Sequence, residues 1–168
     1  MLANDPLASH FAGGTIYQAF LSALSYHRWH SPVSGVVRRA FVADGTYFSE
    51  PLFESTSSAQ GGIDEKGISL AQGYLTALAT RAIIVIEADN PAIGLMAFIG
   101  VGMDEVSTCE ITVKEGQHIK KGDQTGMFHF GGSSHCLLFR KGVKVEGFPE
   151  VGREPNVPVR SQVAVVKS

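Results

Sequence analysis

Cysteine is nearly absent from this chain: only Cys109 and Cys136 occur among its 168 residues. They could form one bridge at most, so there is no disulfide framework, and their spacing matches no zinc site. Two buried, reduced thiols in a cytoplasmic protein are the expectation. An excess of one charge is also missing. The 14 basic residues are scattered among 16 acidic ones for a net charge of −2, which leaves no basic stripe for nucleic acid or an anionic membrane. Long apolar runs are lacking too. No stretch reaches the roughly 18 residues of a spanning helix, and the opening "MLANDPLASHFAGG" has neither the basic region nor the apolar core of a signal peptide. The sequence thus predicts a chain that is neither exported nor anchored. Its expected partner is a small molecule, with no nucleic acid and no membrane span, and self-association into a homo-oligomer stays open.

What is present is a chain that is 44% hydrophobic, enough for one good core and too short for two comfortable domains, so 1–168 is read as a single domain. Short β-branched or aromatic runs ("GVVRRAFV", "TYFS", "RAIIVIEA", "GLMAFIGV", "CEITV", "GMFHF", "HCLLFR", "SQVAVV") are separated by Gly, Pro or Asp, the pattern of many short strands. Residues 15–26 place Ile16, Phe20, Leu21 and Leu24 at helical spacing behind a capping Thr15, which predicts a helix. A second helical stretch, "ISLAQGYLTALATR", covers 68–81, although "LTALATRAIIVIEA" could equally enter a strand. The fold class expected is mainly β (α+β): a β core with one or two helices packed on it. The segments "HSPVSGVVRRAFVADGTYF" and "EITVKEGQHIKKGDQTGMF" are similar to halves of the barrel-sandwich hybrid of biotinyl and lipoyl carrier domains. No lysine sits in a tight modification turn, and Lys120, Lys121 and Lys144 read as solvated charges. The polar stretch 51–67 is expected to form a surface loop over the entrance to the site described next.

That site begins with "GMFHFGGSSHCLLF", residues 126–139, where two glycines and two serines interrupt an apolar run. A β-bulge is one reading. The other is chemical. With no Cβ on Gly132, the Ser133 hydroxyl can attack the preceding carbonyl carbon and convert the amide to an ester. A base then removes the serine α-proton, Gly132 leaves as a carboxylate, and water hydrolyses the resulting dehydroalanine to a pyruvoyl group and ammonia. Such processing needs a nearby base. "YHRWHSP" offers His27 and His30, placed by the predicted helix three residues apart at its end. No third clear ligand accompanies them, so no metal site is expected.

Taken in order, "YHRWHSPVSG", "IEADNPAIG", "FIGVGMDEVSTCE" and "EGQHIKKGDQTGMFHFGGSS" resemble the phosphatidylserine decarboxylase family, whose members are pyruvoyl enzymes made by that cleavage. In wording, the chain is similar to the family's soluble fungal branch, the L-tryptophan decarboxylases. The resemblance runs from about Asn4 to the C-terminus. It implies cleavage between Gly132 and Ser133 into a β-type chain of 1–132 and an α-type chain of 133–168, with Ser133 becoming the pyruvoyl group. It implies that His30 is the processing base and that His27 assists decarboxylation or protonation. The ketone would condense with the substrate amine and accept the electron pair as carbon dioxide leaves, so no diffusible cofactor is needed. The expected activity is decarboxylation of a soluble amino acid, with aromatic ones among the candidates.

One departure stands out. The family's processing aspartate lies well upstream of "YHxxH", whereas 26 residues precede His27 here and Asp5 is too near to match. Asp44, Asp89 and Asp104 are the candidate substitutes, and a truncated chain is another explanation. Two alternatives remain open at this point. Ser133 could stay uncleaved while His27 and His30 act as acid and base in other small-molecule chemistry, or the domain could bind without catalysing.

Overall fold

The computed structural model describes residues 1–22, 24–47, 65–103, 108–129, 133–150 and 156–167. Gly132, Asp104 and nearly all of the polar stretch 51–67 lie outside them. The described chain is mostly antiparallel strand. A 3-10 helix, Pro6–Phe11, leads into β1 (Thr15–Leu21), β2 (Arg28–His30) and β3 (Gly35–Ala43), followed by α1 (Glu65–Leu78), β4 (Arg81–Ala88), β5 (Leu95–Gly102) and β6 (Cys109–Ile111). Then come β7 (His118–Ile119), β8 (Gln124–Phe128), β9 (Ser133–Phe139), β10 (Lys144–Glu146) and β11 (Val165–Lys167). Six strands form the main sheet in the order β1-β9-β5-β4-β3-β7, three form a second in the order β2-β8-β6, and β10 pairs with β11. The mainly β, α+β expectation holds.

The main sheet is covered on both faces, which explains why its central strands read as continuous apolar runs. Alternate residues go to opposite sides. Ala82, Ile84 and Ile86 of β4, Met96 and Phe98 of β5 and Leu137 and Phe139 of β9 join Trp29 and Phe128 from the small sheet in one core. Ile83 and Val85, Ala97, Ile99 and Val101, and Cys136 and Leu138 form a second core with Leu2 and Ala79, against which Leu7 and Phe11 of the 3-10 helix pack.

The helix expected over 15–26 is not there. Thr15–Leu21 is instead an edge strand paired over its full length with β9, from Thr15 opposite Phe139 to Leu21 opposite Ser133. Its Thr, Ile, Tyr and Phe suit a pleated surface. The residues that suggested a helical stripe do not reach a core: Ile16, Phe20 and Leu24 are 53%, 56% and 99% exposed. His27 and His30 therefore do not share a helical face. His27 immediately precedes the short strand β2, and His30 ends it. The second helix forms as α1, the last three residues of the expected span passing instead to the turn and to β4. In the described part of "TYFS", Thr46 forms an isolated bridge to Ala79.

The N-terminal 3-10 helix is tied to β3 through Asp5. Its carboxylate accepts from the Leu7 N–H at 2.9 Å and from the Arg39 guanidinium at 2.7 Å. Burial pushes the Asp5 carboxyl up, but the Leu7 and Arg39 hydrogen bonds and the Arg39 charge outweigh it and hold the group below its ordinary value. A carboxyl depressed in the folded state contributes stability that is present above its unfolded pKa and lost as pH falls through its folded one. Asp5→Asn should therefore lose about 1–2 kcal/mol in urea unfolding near pH 7, and the gap to wild type should close in acid. A gap independent of pH would assign the loss to packing.

Candidate active site

Ser133 opens β9, and strand alternation fixes what it faces. Its side chain shares a face with His135, Leu137 and Phe139, toward the core that contains Trp29, Phe98 and Phe128. Ser134 points to the opposite face, where its Oγ accepts from Gln18 Nε2 at 3.3 Å, and the same amide donates to Thr76 Oγ1 of α1 at 2.9 Å. The two serines are thereby distinguished. Both are fully buried, but Ser134 is held in a polar network while Ser133 Oγ has no hydrogen-bond partner. A buried hydroxyl without a partner costs about 1–3 kcal/mol, and an oxygen left free in this way is available for nucleophilic attack.

The two histidines differ just as sharply. Phe128 donates its backbone N–H to the His27 carbonyl at 3.0 Å, which places His27 beside the end of β8 from which the chain continues toward Ser133. The His27 ring meets Phe128 edge-on at 6.2 Å, and its Nε2 is buried without a partner. His30 lies at the other end of β2, beside Gln124. Its Nδ1 is 2.9 Å from the Gly122 carbonyl and its Nε2 is 2.8 Å from the Tyr26 hydroxyl. A carbonyl only accepts, so Nδ1 carries the proton, and in the neutral ring the basic Nε2 accepts from Tyr26. Among the described residues neither histidine meets a carboxylate. Of the candidate substitutes, Asp89 is engaged by His118 at 3.0 Å, and Asp44 is an exposed residue just past β3.

Two residues near Ser133 went unnoticed in the sequence. His135 stacks against Phe98 at 6.0 Å and leans on Tyr17 at 6.1 Å. Burial pushes its pKa down to about 4, so it is a neutral ring at physiological pH. Its position two residues after Ser133 was the available signal, because alternation puts both on one face. The other is Trp29, whose indole N–H is also buried without a partner. Both cysteines are free, and burial pushes each thiol up to about 11, well away from reactive thiolates.

An open cleft lies elsewhere. About 470 Å³ in volume, it is lined by Asp5, Pro6, Leu7, Arg38, Arg39, Glu87 and Leu95. Its charges are already paired with one another, Arg38 with Glu87 and Arg39 with Asp5, and it contains no candidate nucleophile. Among the described residues, no helix is long and apolar enough to cross a membrane.

Residues 1–163 match the family profile described as phosphatidylserine decarboxylase. The decarboxylase iboD of Amanita muscaria is 50% identical over 144 residues, which cover 83% of this chain and 41% of the relative. An L-tryptophan decarboxylase of Psilocybe cubensis is 42% identical over 161 residues, covering 95% of this chain and 36% of the relative. A phosphatidylserine decarboxylase proenzyme of Schizosaccharomyces pombe is 29% identical over 143 residues, covering 85% of this chain and 13% of the relative. The chain thus spans about two fifths or less of the length of these relatives.

Proposed function

Because the chain belongs to the phosphatidylserine decarboxylase family, we propose that it is a pyruvoyl-dependent decarboxylase of a free amino acid, matured by serinolysis at Gly132-Ser133. The observation that carries this reading is the Ser133 hydroxyl, buried and unpartnered where its neighbour Ser134 is tied down. A hydroxyl held by other donors and acceptors would have to break them before attacking a carbonyl. Ser133 has none to break.

The residues around Ser133 suit a carbonyl group at that position. The Ser133 face of β9 carries no carboxylate or cation, only His135, Leu137 and Phe139, so a ketone there would stay dry and electrophilic. Such a group supplies an electron sink for the pair released when carbon dioxide leaves. The chain's own residues would do the rest. His30 would take the serine α-proton during maturation, once its Nε2 exchanges Tyr26 for the site. His27, with its free Nε2 beside the Ser133 end of β8, would return a proton to the substrate carbon. Names of relatives favour a free amino acid over a lipid headgroup, since the L-tryptophan decarboxylase of Psilocybe cubensis is 42% identical and the phosphatidylserine decarboxylase proenzyme 29%, and the rings of Phe98 and Phe128, in the core that Ser133 faces, would accept a planar side chain.

The test is product release. Purified chain given L-tryptophan, L-phenylalanine or phosphatidylserine vesicles should liberate carbon dioxide from at least one free amino acid and not from the vesicles. Phenylhydrazine, which blocks ketones, should abolish release, and added pyridoxal phosphate should not raise it. Activity insensitive to phenylhydrazine would contradict the pyruvoyl reading. Release from the vesicles alone would move the substrate to the lipid.

A further inference from the structure

Three buried side-chain atoms in the described residues lack any hydrogen-bond partner: Ser133 Oγ, His27 Nε2 and Trp29 Nε1. The first two have roles in the reaction just proposed. The third does not. An indole N–H can only donate, and burying it without an acceptor is unfavourable unless a ligand brings one.

The indole is held in one orientation. Phe128 meets it edge-on at 4.7 Å and Phe98 lies 5.5 Å away. Two glycines make room for it. A Cβ on Gly126, in the small sheet, would collide with its Cε3 and Cζ3 edge, and a Cβ on Gly100, in the main sheet, would lie 3.0 Å from Cζ2 and 3.1 Å from Cε2. The ring therefore spans the space between the sheets, and the edge that carries Nε1 is the one against Gly100. That position is on the Ser133 wall. Gly100 is the register partner of His135, and Gly102, two residues along the same strand, is the partner of Ser133. Two residues of strand correspond to about 7 Å, roughly the reach of a small amino acid attached at Ser133.

We propose that Trp29 is a substrate-binding residue whose indole N–H donates to the α-carboxylate of the amino acid held at Ser133. The chemistry suits the reaction. A neutral donor set between Phe98 and Phe128 orients a carboxylate without the full stabilisation a guanidinium would give. The negative charge can then drain out of the carboxylate as the carbon–carbon bond breaks. This rests on Ser133 being the reacting centre, and its test is read independently of turnover.

Trp29 is the single tryptophan of the chain, so its indole N–H gives one nitrogen-15 NMR cross-peak. The probes are indole-3-propionate, which has the carboxylate but no amine, and tryptamine, which has the amine but no carboxylate. Indole-3-propionate should shift the cross-peak downfield, and tryptamine should not. Trp29→Phe keeps an aromatic ring and removes the donor. It should bind indole-3-propionate roughly 10- to 100-fold more weakly and tryptamine as well as wild type does. A cross-peak unmoved by indole-3-propionate up to its solubility limit, or equal affinity in the two proteins, would overturn the proposal. If Trp29→Phe does not fold, as judged by its melting curve, the wild-type cross-peak decides alone. Intact mass separates this from the decarboxylase reading: an uncut chain removes that reading, while the shift is read on cut and uncut protein alike.

Discussion

Ser133→Ala should leave the chain whole and its decarboxylase activity below detection. Without the Ser133 oxygen there is no ester, no elimination and no ketone, so nothing takes up the electron pair from the departing carboxylate. The loss is of the reactive group itself and so exceeds that of any single acid or base. Ser134→Ala is the matched control. Ser134 Oγ accepts one long bond from Gln18, at 3.3 Å, on the opposite face of the sheet, so its removal should cost about 1 kcal/mol of stability and leave cleavage intact. The contrast between adjacent serines makes the outcome informative. If Ser134→Ala also blocked cleavage while melting as wild type, the alternation that separates the two faces would not govern the chemistry. Equal cleavage of Ser133→Ala would point to an outside protease.

Replacing the histidines should separate maturation from turnover. His30→Ala should stop cleavage. His27→Ala should permit it and slow decarboxylation by roughly 100- to 10,000-fold, the range for a lost general acid-base group. The structure adds a physical condition. His30 Nε2 is occupied by the Tyr26 hydroxyl at 2.8 Å, so His30 can act as a base only after that bond exchanges, and among the described residues no carboxylate contacts its ring to stabilise the cation. Slow maturation is the natural consequence, and Tyr26→Phe should hasten it by removing the competitor. Mass spectra over time, with circular dichroism to confirm folding, check all three variants. Cleavage in His30→Ala at the wild-type rate, together with none in His27→Ala, would exchange the two roles. The free His27 Nε2 makes that the first alternative to consider.

Much of the architecture was legible because the central strands carry their own signal. "RAIIVIEA" maps onto β4 residue for residue, since burial on both faces demands an unbroken apolar run. The first strand misled for the opposite reason. Among the described residues β1 is an edge paired with β9 alone, so the exposed Ile16 and Phe20 imitate a helical stripe, and only that pairing makes it a strand. At the candidate site, motifs name Ser133 and the two histidines and give each a role, but they do not carry the hydrogen bonding of each side chain. That Ser133 is free and Ser134 bound depends on Gln18 and Thr76, 116 and 58 residues from Ser134 along the chain. Trp29 is one letter of "YHRWH", with nothing in the sequence to mark its N–H. Its unpartnered N–H appears only when Gly100 and Gly126 bring the two sheets to either edge of its ring.

The most direct test of the account is the intact mass of the purified wild-type protein. The account predicts two fragments of 132 and 36 residues, the smaller lighter by one ammonia than a peptide beginning with serine, as a pyruvoyl terminus requires. A single full-length chain, or a smaller fragment that begins with an ordinary serine, would contradict it.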